Sequence, residues 1–188
     1  MKKYFFLILL FFCGSLIAQP KQDSVTKRPN TFWSLSINGG GIVPLGTFGN
    51  LYNNSASFGI EFAYHPFRKI SFFFNPQYDF LSSKDVNYSG TAGYIEFGVG
   101  ARLYLGKTSE LFFIEAGPGD YFYYYTSTIS NSSNTLIKGS FGIKAGLGAN
   151  ISLTNKILAF VKTDFHILFT PIDKTYYPGL YAGLRFIF

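Results

Sequence analysis

The residues best suited to chemistry in this 188-residue chain are His166, Asp164 and Ser140. His166 and Asp164 stand two apart and so share one face of a strand, while Ser140 falls on the preceding segment. A serine, a histidine and a carboxylate form the set used in nucleophilic catalysis, provided the base reaches the hydroxyl. His166 is followed by Ile-Leu-Phe, however, with no adjacent serine. The expectation is an interior histidine bonded to Asp164 or Lys162, and no catalytic residue in the chain. His65, beside Pro66, is expected to be structural in a short turn. Two scattered histidines and no cysteine beyond Cys13 leave no metal constellation and no cofactor site. Gly39-Gly40-Gly41 lacks the following helix and lysine of a phosphate loop, and reads as an aid to strand curvature.

These polar residues belong to alternating segments, and the segments decide what the side chains can do. From residue 31 onward the chain divides into eight, at 31–43, 55–64, 70–80, 94–105, 110–124, 136–151, 157–169 and 176–188. Each puts Phe, Leu, Ile, Val or Tyr on one face and small or charged residues on the other. The second sets Phe58, Ile60, Phe62 and Tyr64 against Ser57, Gly59, Glu61 and Ala63. The last sets Leu180, Ala182, Leu184, Phe186 and Phe188 against Gly179, Tyr181, Gly183 and Arg185. Small plus charged residues make no dry core, so the apolar face must point outward, the reverse of a soluble lipocalin-like barrel. Each segment is long enough for the ~9 to 11 residues of a tilted membrane-crossing strand. The fold class predicted is all-β, an eight-stranded antiparallel transmembrane β-barrel of the outer-membrane type.

The polar face then lines the inside. Glu61, Asp79, Glu96, Glu115 and Asp164 are offset by Arg102, Lys144, Lys162 and Arg185. An eight-stranded barrel is just wide enough for side chains to fill. Charges confined there must pair, so the expectation is an internal network, packed by Tyr104 and Tyr121, that plugs the barrel. Connectors at 65–69, 106–109 and 152–156 are short; those at 44–54, 81–93, 125–135 and 170–175 are mostly longer and rich in Asn, Ser, Thr and Gly, the asymmetry of periplasmic turns and external loops. Phe48, Tyr52, Tyr88 and Tyr125 are expected to offer contacts there. The Asn-X-Ser matches at Asn53, Asn87 and Asn131 read as loop composition.

The N-terminus carries an address. Lys2 and Lys3 precede an apolar run, and Ala18 marks a cleavage point before Gln19. Residues 1–18 read as a signal peptide, 19–30 as a periplasmic tail and 31–188 as the barrel domain. The run is shorter than the ~20 residues a spanning helix needs, and bulky Phe12 argues against a lipoprotein signal at Cys13. Cleavage removes the one cysteine. The formal charge of +6 becomes +4 without Lys2 and Lys3, too scattered for nucleic acid. Hydrophobic residues make up 47% of the chain, yet no apolar window of helical-span length follows the signal.

On these motifs the chain resembles the small outer-membrane β-barrel proteins of Gram-negative bacteria, OmpA-like in the barrel and close to the PorT-like group. The resemblance covers 31–188. It rests on the Gly-rich first strand running into Pro44-Leu45-Gly46, on FIEAGPG at Phe113 to Gly119, and on GLYAGLRFIF at Gly179 to Phe188. It implies localisation in the cell outer membrane, where outer-membrane lipid and lipopolysaccharide surround the barrel. It also implies recognition of the C-terminal strand and Phe188 by the barrel assembly machinery, with a surface or secretion-system protein as a further partner. No peptidoglycan-binding domain is expected beside the barrel, so cell-wall tethering is not implied. Outer-membrane lipid A deacylases are barrels of similar size with a Ser, His and acidic residue near the lipid boundary; the missing serine after His166 departs from them. The function expected is non-enzymatic, structural or interactive through external loops, with a lipid-modifying enzyme or a small conduit as the alternative.

Overall fold

A computed structural model describes residues 31–84, 90–105, 111–129, 132–170 and 174–188. The signal peptide, the tail, Cys13, Tyr88, Glu110, Asn87 and Asn131 lie outside the described residues, as does the connector 106–109. Eight strands run in chain order: β1 (Phe32–Ile42), β2 (Ser55–Phe67), β3 (Ile70–Leu81), β4 (Gly90–Leu105), β5 (Phe112–Ile129), β6 (Ser132–Ser152), β7 (Ile157–Phe169) and β8 (Lys174–Ile187). Each pairs antiparallel with the next, and β1 closes on β8 to complete a barrel. The closing seam runs from Ser34 opposite Ile187 to Ile42 opposite Gly179. Below it, Trp33 and Phe188 exchange both backbone hydrogen bonds at 3.1 Å.

The alternation has the predicted sign. Phe58, Phe62, Phe72, Phe97, Val99, Ile114, Phe141, Leu147, Phe165 and Leu180 are all exposed on the outside. The nine charged residues assigned inward are no more than 4% exposed. In a closed barrel every ladder hydrogen bond is made between strands, which is what allows a sheet to sit in hydrocarbon.

Strand ends depart from the sequence reading in informative ways. β2 continues through His65 and Pro66 to Phe67, with a register shift against β3 between Tyr64 and Phe67, so His65 sits in a strand and the turn is Arg68–Lys69. The segment 125–135 is not a free loop. The run Tyr123-Tyr124-Tyr125-Thr126 and the facing Thr135 and Ile137 are β-branched or aromatic, so β5 and β6 stay paired up to Ile129 opposite Ser132. The Thr126 and Thr135 hydroxyls meet at 3.2 Å on this ribbon. β4 follows as far as Gly90 opposite Ser127, whereas β7 joins β6 only from Phe169 opposite Phe141. A ribbon of β4, β5 and β6 therefore rises above the barrel at the end opposite the chain termini.

The connector 44–54 holds a short helix, α1 (Gly46–Leu51), entered at Gly46 with φ +59°. It is tied down by bridges between Leu45 and Tyr176 and between Tyr52 and Ser83. The Lys84 amide donates to the Leu51 carbonyl at 2.9 Å and its ammonium to the Gly49 carbonyl. Phe48, expected to be available on the surface, is instead 7% exposed and points into the barrel mouth. It packs against Tyr52, Tyr94 and Tyr177 at centroid distances of 5.2, 5.8 and 6.0 Å.

Candidate functional site

The interior is where the polar chemistry converges, in three tiers. Nearest the termini, Phe32 stacks on His65 at 4.0 Å, and His65 bonds the Ser34 hydroxyl at 3.0 Å. Tyr104 stacks on the other side of the ring at 5.8 Å. Above lies an ionic chain. Arg102 donates to both Glu61 oxygens at 2.8 and 2.6 Å and to Glu115 at 2.7 Å. Arg185 reaches Glu61 at 3.2 Å and also bonds Ser36, Tyr104 and Asn150. Lys162 bridges Glu115 and Asp164, both at 2.8 Å. The Arg102 guanidinium also lies over the Phe113 and Phe73 rings, 4.6 and 5.2 Å from their centroids, in cation–π contact.

Farther from the termini, Lys144 donates to Glu96 at 2.6 Å and to Asn75 at 2.7 Å. Asp79 is the acid left over in the count of five against four. It accepts from Ser57, Gln77 and Tyr177 at 2.5, 2.9 and 3.1 Å, all uncharged donors. Seven strands, β2 to β8, place the charged groups by turning the right parity inward, and glycines beside them leave room. A Cβ on Gly100 would stand 2.5 Å from the Phe73 ring, and one on Gly146 would strike the Asp164 carboxylate.

His166 is held otherwise than expected. Its Nδ1 meets the Tyr121 hydroxyl at 3.0 Å and Glu96 at 3.5 Å, and its Nε2 faces the Tyr181 hydroxyl at 3.5 Å. The ring stacks on Tyr177 at 4.5 Å. Asp164 is turned to Lys162, and no hydrogen bond joins Ser140 to His166 among the described residues, so the triad is not assembled. Both imidazole nitrogens are engaged by phenols, which leaves neither free to take a proton from a serine. Lys144 pairs with Glu96, while Arg102 and Lys162 take Glu115. Tyr177 was overlooked in the sequence, although its even spacing with Tyr181 and Arg185 on β8 carries the signal. Among the described residues no cluster of His, Cys, Asp and Glu is placed to hold a metal ion.

An apolar exterior and an ion-paired, side-chain-filled interior define an eight-stranded antiparallel transmembrane β-barrel of the outer-membrane type. Solved structures with this architecture include Neisserial surface protein A, with a TM-score of 0.58 at 12% identity over 83% of this chain and 97% of that one. OprG from Pseudomonas aeruginosa gives 0.55 at 14% identity over 86% and 97%. Ail, the attachment invasion locus protein of Yersinia pestis, gives 0.52 at 13% over 84% and 97%. At these identities the likeness is one of fold alone. No protein-family profile and no curated protein matches the chain.

Proposed function

We propose that the mature chain is a non-enzymatic outer-membrane protein whose barrel is a plugged anchor and whose loop end carries an interaction surface. The observation that carries this reading is the ionic chain from Arg185 to Asp164, which fills the lumen across its width. A conduit needs a wet, unpaired path, and a hydrolase needs a free base; neither fits Glu61, Arg102 and His166 as they are bonded. The signal-like residues 1–18 support export. An even strand number puts both termini on the periplasmic side and the β4–β5–β6 ribbon outside.

The ribbon is the surface that suits a protein partner. Leu136 is 46% and Ile137 65% exposed on it, and among the described residues β6 from Ser132 to Ser140 is paired on its β5 side alone. Assembly is proposed to run through β8, whose apolar outer face ends in Phe188. Kinship with the OmpA-like and PorT-like barrels rests on the three motifs of the sequence. The test is fractionation of expressing cells with protease treatment from outside. The mature protein should co-sediment with outer membrane, show heat-modifiable mobility, and be cut in the ribbon while the barrel survives. Recovery as a soluble periplasmic protein would overturn the reading. A change in lipid A mass on expression that is lost in His166→Ala would restore the enzymatic alternative.

A further inference from the structure

Between its rims the outer face of the barrel carries one charged residue among the described residues. On β5 the outward residues are Phe112, Ile114, Ala116, Pro118, Asp120 and Phe122, and Asp120 is exposed between outward Phe97 on β4 and Phe141 on β6. It has no hydrogen bond or ion pair among the described residues. Thr163, a polar residue outside, donates its hydroxyl to the Gly179 carbonyl at 2.9 Å. Asp120 stands one outward position short of Phe122 and two short of Tyr124, just inside the loop-end aromatic rim. An ionisable group on a lipid face is unfavourable at the bilayer centre and costs little near an interface, so Asp120 stands where a lipid headgroup can meet it.

Next to it lies a trough of about 360 Å³ on the same face. Its floor is Ala116, Gly117, Pro118 and Ala145, its walls are Ile143, Phe165 and Ile167, and Lys144 also lines it, with its ammonium turned inward to Glu96. The small residues set the floor low, and proline at 118 interrupts the ladder: β4 and β5 pair at Gly98–Gly119 and again at Ala101–Ala116, with the two residues of each strand between them unpaired across this ladder.

We propose that this face binds one lipid molecule, with an acyl chain in the trough and a primary-ammonium headgroup donating to Asp120. The trough is apolar and lies where lipid must cover the barrel. A second copy is the poorer occupant. The outward faces of the strands between the rims offer no lysine or arginine for Asp120, and a two-fold contact centred here would bring two carboxylates together. The inference rests on the membrane reading above.

The experiment is native mass spectrometry of the protein released from vesicles of equal phosphatidylethanolamine and phosphatidylcholine. Phosphatidylcholine is the control because its quaternary ammonium has no N–H to donate. The wild type should retain the ethanolamine lipid roughly tenfold over the choline lipid, the scale of a hydrogen bond to a charged group. Asp120→Leu should remove the preference, and Ala145→Leu, which fills the trough, should remove both adducts while heat-modifiable mobility persists. Equal retention by the wild type, an unchanged preference in Asp120→Leu, or a disulfide dimer formed in membranes by Ala145→Cys would overturn the lipid site alone. A chain that never inserts into vesicles would overturn the membrane reading and the site with it.

Discussion

Glu61 is the residue on which most of the interior turns. Both of its oxygens are taken by Arg102, and Arg185 shares one of them. Removing one partner of a buried pair leaves a charge without compensation, at about 3–5 kcal/mol. Glu61→Ala is therefore expected to lower the urea midpoint of the vesicle-inserted barrel by that free energy, read from tryptophan fluorescence of Trp33. Asp79→Asn is the contrast. Its donors are neutral, the new carbonyl still accepts from Ser57 and Gln77, and the Tyr177 hydroxyl can rotate to accept, so the change should stay within about 1.5 kcal/mol, the scale of one neutral hydrogen bond. Equal losses in the two variants would show that charge pairing does not hold the interior. The nine inward charges were legible from parity along each strand. Their pairing was not: Lys144 lies opposite Gly117, two residues along β5 from Glu115, yet it pairs with Glu96 on β4, and that choice depends on the register of the closed strands, which no single segment contains. Asp120 escaped because it sits on the apolar parity, where the pattern of its neighbours hides a single exception.

At the scale of elements, glycine on the inner face of β4 and β6 is what makes room for long charged side chains. Gly146 faces Asp164 across the β6–β7 ladder, and a Cβ there would also stand 2.6 Å from the Thr163 carbonyl. Gly146→Ala should displace Asp164 from Lys162 and destabilise the barrel by about 1–3 kcal/mol, measurable by the same urea titration. Full stability in this variant would mean that the interior is looser than the contacts imply. Strand existence was legible for all eight elements from period-two patterning. Their upper ends were not: composition rich in Ser, Thr and Asn suggests a loop at 125–135, yet tyrosine and threonine there extend β5 and β6 because cross-strand pairs form once the barrel below has set their register. The same logic gives β8 its weight. Phe188→Lys, at the exposed end of the closing seam, should sharply reduce the heat-modifiable form in cells, whereas Lys174→Ala at the other end of β8 should leave it unchanged. Comparable assembly of the two would remove the proposed role of the terminal aromatic.

For the molecule as a whole, the sign of the alternation carries the argument from sequence to membrane. The same eight strands with their faces exchanged would be a soluble barrel around an apolar cavity. Outward Phe, Leu, Ile and Val instead require hydrocarbon, and the inward charges then require one another. Closure at the top adds a second seal, with Phe48 of α1 seated on Tyr52, Tyr94 and Tyr177 above the ionic tiers. The proposed plugged anchor rests on these features together, the buried ion pairs and the ring stack above them. Single-channel recording in planar bilayers tests this most directly, using protein whose insertion is verified by heat-modifiable mobility. The account predicts no conductance steps from the wild type. Reproducible, ion-selective steps from the inserted wild-type barrel would contradict it.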